Sequence, residues 1–169
     1  MIPPIAPPVT PADHGLVEPT EIIDLFRSDI DAGAFNVAAL TADETGCDWA
    51  YSVGLHRCHG HAELVIVGLE APIAGAVIEV LGKEVSEGRR LEAGTSVQLL
   101  GGLELHVHEV DRLWLARGDW FELGREVMSC WGDRWPETLQ LVWSDADGAF
   151  PEKPGDPRWT LRQPLLATV

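Results

Sequence analysis

The segment His56-Arg57-Cys58-His59-Gly60-His61 gathers three imidazoles and a thiol in six residues, and all of these groups bind transition metals once deprotonated. Further on, Leu103 to Val110 reads as a strand that carries His106 and His108. At a side-chain period of two they share one face, roughly 6 to 7 Å apart along the strand. If the loop packs near that strand, His59 or His61 completes a metal site with His106 and His108. The plainer alternative is a solvated histidine-rich loop and a strand whose polar positions face water. His61 and Glu63 offer a different chemistry, an acid/base pair beside Tyr51 and Ser52 at a pocket mouth. Their structural alternative is a His61 hydrogen bond to a turn carbonyl and a Glu63 that holds a backbone donor or Arg57. Cys58 could act as a nucleophile, since a neighbouring imidazolium or Arg57 favours the thiolate. Neither Cys58 nor Ser52 lies in a nucleophile-elbow or cysteine-hydrolase context. Gln140, Trp143 and Asp145 lie on or just after a last strand, and Tyr51 with Trp143 would make a stacking wall for a flat cofactor such as flavin. Arg57, Ser52, Arg89 and Arg90 are the groups available to a flavin phosphate. The ordinary role for Trp143 is burial. No dinucleotide, P-loop or zinc-protease motif is present.

The elements that must position these residues follow from periodicity. Thr20 can cap a helix to about Ala32, with Ile22, Ile23, Phe26 and Ile30 at helical spacing and Gly33 as its stop. Phe35 to Ala42 and Asp48 to Leu55 read as the strands of a hairpin around the turn 43–46. His56 to His61 reads as a loop, and the near-continuous apolar run Glu63 to Leu69 reads as a central strand. Pro72 opens a second helix whose stripe is Ile73, Val77, Leu81 and Val85, ended by Gly88. Ser96 to Leu100 and Leu103 to Val110 flank Gly101-Gly102 as a hairpin with a two-residue turn. Asp119 can cap a third helix with Glu122 as its answering residue and Trp120, Leu123, Val127 and Trp131 as its apolar face. Thr138 to Trp143 is the last strand, followed by a turn at Asp147-Gly148 and an irregular tail.

Length and composition set the wider frame. A chain of 169 residues with 46% hydrophobic residues can build one core. Residues 1–18 carry five prolines and read as an extended N-terminal arm, a leader or a ligand for a partner protein, leaving 19–169 as a single α+β domain. The acidic excess, 27 acidic against 12 basic residues for a formal charge of −15, repels phosphate backbones and anionic lipid surfaces at long range. Nucleic acid and membranes are therefore excluded as expected partners. A solvated surface is the bland account of that charge, and a cationic ligand the sharper one. The cluster of tryptophans between Trp114 and Trp135 is expected to be packed rather than base-stacking. Cys47, Cys58 and Cys130 form no C-x-x-C pattern and fit a reduced compartment. The N-terminus resembles no secretory signal, and no apolar run reaches about 18 residues, so a cytoplasmic location is expected.

A wider pattern joins these pieces. Trp49-Ala50-Tyr51-Ser52-Val53-Gly54-Leu55, then Gly60-His61-Ala62-Glu63-Leu64 and Val67-Gly68-Leu69, resemble the signature of the bacterial domain-of-unknown-function family 4262. Leu139-Gln140-Leu141-Val142-Trp143-Ser144-Asp145, Gly148-Ala149-Phe150-Pro151 and Gln163-Pro164-Leu165 match it again downstream. The two blocks bracket residues 35 to 166. Ala62 stands where the family pattern has proline, which implies a less rigid loop. The family name implies no activity. The strand and hairpin count implies an α+β fold, a mostly antiparallel β-barrel-like sheet with about three covering helices, and the element order is similar to flavin-binding split barrels. The functional expectation is a small-molecule-binding domain, with enzymatic activity left open, whose pocket lies between the Tyr51 to Glu63 segment and the Gln140 to Asp145 strand. A non-catalytic protein-interaction module and a histidine-based metal-binding protein are the alternatives.

Overall fold

The structure is a computed structural model, and it describes residues 19–42, 46–117, 120–151, 153, 155–160 and 162–167. The proline-rich arm, Asp43-Glu44-Thr45 of the first turn and the expected cap Asp119 lie outside the described residues. The element order is α1 (Pro19–Asp31), β1 (Asn36–Leu40), β2 (Trp49–Val53), α2 (Leu55–His59), β3 (Glu63–Val67) and α3 (Ala71–Ser86), then β4 (Ser96–Gln98), β5 (Glu104–Glu109), α4 (Arg112–Ala116), α5 (Glu122–Ser129) and β6 (Thr138–Trp143).

The strands form one six-stranded sheet in the order β1-β2-β3-β6-β5-β4. Every neighbouring pair is antiparallel except the central one, where β3 and β6 run parallel with Glu63 opposite Thr138 and Ile66 opposite Leu141. Both central strands are buried along their whole length, as expected for strands covered on both faces. On one face α3 packs through Ala74, Val77, Ile78, Leu81 and Val85 onto Ala50, Leu64, Ile66, Leu141 and Trp143. On the other, α1 and α5 cover Ala38, Tyr51, Val53, Val65 and Val67.

The barrel-like, split-barrel expectation is corrected here. The sheet is open, with β1 and β4 as separate edges, and helices on both faces do the work that closure does in a barrel. Antiparallel neighbours and hairpin counts are compatible with either outcome, because they say nothing about whether the first and last strands meet. Five helices occur among the described residues rather than about three. The His56 to His61 loop is mostly α2, held between left-handed Gly54 and Gly60, and α4 is additional. The α3 stripe is also shifted, since Ile73 is half exposed and Ala74 takes the inward position. At the Gly101-Gly102 hairpin, Leu99 donates to the Leu103 carbonyl, so the loop is three residues rather than two.

The C-terminal segment is fixed by side chain to backbone bonds. Gln163 accepts from the Trp143 amide at 2.8 Å and donates to its carbonyl at 2.7 Å, extending β6 beyond the reach of β3. Gln140 does the same for the tail, accepting from the Leu166 amide and donating to the Pro164 carbonyl. Gly68, at φ +87°, lets this strap pass, since a Cβ there would lie 1.8 Å from the Arg162 carbonyl oxygen.

Candidate functional site

The β2–β3 ladder ends at the pair Tyr51–Val65, and beyond it side chains replace backbone partners. Ser52 Oγ accepts from the Leu64 amide at 2.9 Å and donates to Glu63 Oε2 at 2.5 Å. Glu63 Oε1 accepts from the amides of Gly54 and His56 at 2.9 and 3.0 Å. These are the N-cap and a first-turn donor of α2, so a carboxylate from the following strand caps the preceding helix, whose own N-cap side chain is a glycine. Ser52 and Glu63 are both fully buried. Burial raises the Glu63 carboxyl to about 7, against the opposing pull of its hydrogen bonds from Ser52, His56, Gly54 and Leu55.

His61 is buried as well. Its Nδ1 lies 2.7 Å from the Ala62 carbonyl and its Nε2 accepts from the Leu91 amide at 3.0 Å, which fixes the neutral Nδ1–H tautomer and ties the β3 entrance to the segment after α3. Tyr51 points to the opposite face from Trp143, so the two build no common stacking wall. Tyr51 packs edge-on against Phe121 and Trp135, its hydroxyl accepts from the Gly124 amide at 3.3 Å, and burial raises its pKa strongly. Trp143 donates from Nε1 to the Val67 carbonyl and packs against Trp159. Asp145 closes its own turn by accepting from the Asp147 and Ala149 amides. Tyr51, Ser52, His61, Glu63, Gln140, Trp143 and Asp145 are thus all engaged within the chain.

The histidines are dispersed. His106 stacks flat on Phe150 at 3.7 Å and lies 3.5 Å from Glu104, while burial and then the neighbouring His106 lower the pKa of His108. His59 belongs to α2, with its carbonyl bonded by Arg90. Among the described residues no group of three or more His, Cys, Asp or Glu is placed to hold a metal. Burial, then the Glu63 charge, raises the Cys58 thiol, which disfavours a thiolate nucleophile. The groups available to a flavin phosphate are likewise separated: Arg57 pairs with Asp133 and lies over Trp131, Arg89 pairs with Glu84, and Ser52 is buried.

The open space lies elsewhere. A cleft of about 510 Å³ runs between α4, α5 and the start of β6, lined by Arg112, Arg125, Arg134, Leu115, Trp135 and Thr138 among others. Arg125 is held in place, because its Nη2 donates to the carbonyls of Leu115 and, at 2.6 Å, Arg117. Its Nε is buried without a hydrogen-bond partner. Arg112 and Arg134 are exposed. A second hollow of about 360 Å³ lies on the other side of α4, walled by Leu113, Trp114, Trp159 and Leu165. Sequence reasoning passed over these arginines. The available signal was density, since four of the twelve basic residues fall between Arg112 and Arg134 in an otherwise acidic chain.

Among the described residues no helix is long and apolar enough to cross a membrane. No curated protein and no solved structure matches the chain. Residues 29–157 match the family model described as a domain of unknown function, DUF4262, and because that span covers most of the chain, the protein belongs to the DUF4262 family.

Proposed function

We propose that this protein is a small-molecule-binding domain whose ligand occupies the cleft between α4, α5 and the start of β6. The observation that carries the reading is that cleft itself, about 510 Å³ with an apolar wall and several guanidinium groups, within the size range of ligand sites. One candidate read from the sequence supports it from a distance: the Tyr51 hydroxyl accepts from the Gly124 amide and ties α5, one wall of the cleft, to the sheet. The reading is tested by native mass spectrometry of freshly purified protein, followed by a fragment library screened by ¹⁵N NMR. Shifts concentrated at Ala116, Thr138 and the Trp135 indole are expected. A library whose hits move only other regions, or none, overturns it.

A further inference from the structure

We infer that the ligand of this cleft carries an oxyanion, a carboxylate or a phosphate monoester on an apolar or aromatic body, and that Arg112, Arg125 and Arg134 hold the charged end. This rests on the cleft being the ligand site. Arg125 contributes the most specific feature. Its guanidinium is held by the carbonyls of Leu115 in α4 and of Arg117 just after it, and it forms part of the cleft wall. Fixed in this way, it presents a preorganised positive charge there that an oxyanion would meet with a charge-assisted bond.

The surrounding charges favour the same sign. Arg112 and Arg134 make no ion pair among the described residues, whereas the acidic Asp133 of the same lining is engaged by Arg57 at 2.7 Å. That leaves Glu109 and Glu137 as the uncommitted carboxylates, both exposed. Three guanidiniums with planar donor forks suit carboxylate and phosphate better than a cation. Val110, Leu115, Trp135 and Pro136 supply the apolar wall for the body of the molecule. The net charge of −15 does not decide the matter, because exposed charges more than about 8 Å away are largely screened at physiological salt.

The test uses four probes of one shape: benzoate, phenyl phosphate, benzamide and benzylamine, each titrated into the ¹⁵N-labelled full chain while the Trp135 indole and the Thr138 amide are followed. Benzoate or phenyl phosphate is expected to saturate these signals about tenfold more tightly than the neutral and cationic probes, and the tighter of the two identifies the oxyanion. Arg112→Gln and Arg134→Gln alter exposed side chains, so the unchanged remainder of the spectrum reports an intact fold, and each should weaken the anionic probes alone. Benzamide or benzylamine binding the cleft as tightly as the anions overturns the inference and leaves the cleft as a ligand site. Silence from all four, with a silent fragment library, overturns both.

Discussion

Glu63→Gln should abolish a pH dependence of stability that runs opposite to ordinary acid denaturation. The carboxyl titrates near 4.5 when free and at about 7 in the fold, chiefly because it is fully buried. Between those values the folded chain keeps a proton that the unfolded chain has lost. Its contribution is therefore complete below pH 4.5, declines as pH rises and is gone above about 7. The full contribution is roughly 3 kcal/mol, most of which falls between pH 5 and pH 8. Glutamine mimics the protonated acid: its carbonyl can accept from Gly54 and His56, and its amide can donate to Ser52. Urea unfolding of both proteins at pH 5, 6, 7 and 8 gives the answer. The wild-type advantage over Glu63→Gln should fall by about 2 to 3 kcal/mol across that range. The general relief of acidic repulsion on lowering pH is common to both proteins and cancels in the difference. Parallel curves would show that burial does not raise this carboxyl, and the account of the Ser52–Glu63 network would be wrong.

Gly124→Ala would place a Cβ 2.1 Å from Trp135 Cζ3, and Trp135 cannot retreat because it stacks on Phe121 at 5.1 Å and meets Tyr51 edge-on. A loss of about 1 to 3 kcal/mol is expected, seen as a lower Tm in calorimetry, and an unchanged Tm would mean that this aromatic cluster is not tightly packed. Gln163→Ala leaves both the amide and the carbonyl of buried Trp143 without their partners, at about 2 to 4 kcal/mol for the pair. Hydrogen exchange at the Trp143 amide should accelerate, and protection equal to wild type would refute the role given to the C-terminal strap.

What the sequence made legible was whatever depends on near neighbours. The helix around Phe26 and Ile30 and the strand Thr138 to Trp143 were readable because burial imposes a period on them, and Gly33 marked a true stop at φ +87°. The central place of Glu63 to Val67 followed from an apolar run with no polar face. The parallel pairing of β3 with β6 was not readable, since the partners Glu63 and Thr138 are far apart in the chain and nothing local records the choice. The α2 helix escaped because the group that caps it, Glu63, follows it and belongs to a strand. The α4 helix escaped because none of its residues is buried, so it has no apolar period.

The same distinction explains why Ser52, His61, Glu63 and Gln140 are packed within the chain while hollows lie around α4. Ser52, His61, Glu63 and Gln163 sit where ladders end, and Gln140 faces the C-terminal strap from the middle of β6; buried backbone amides and carbonyls at these places need polar partners. Their side chains complete the backbone and leave nothing directed outward. The cleft arises from the opposite condition. With no fully buried residue of its own, α4 is positioned by its Asp111 cap, by partly buried Trp114 and Leu115, and by Arg125, which bonds the carbonyls of Leu115 and of Arg117 just after the helix. A side chain with several donors in a fixed fork can hold both carbonyls through one nitrogen and keep its charge at the cleft wall. A lysine has one ammonium on a flexible stem and could not keep that fixed arrangement. The contact that holds α4 and a positive charge of the cleft wall are thus parts of one guanidinium, so ordering of α4 and the proposed capture of an oxyanion are coupled through Arg125.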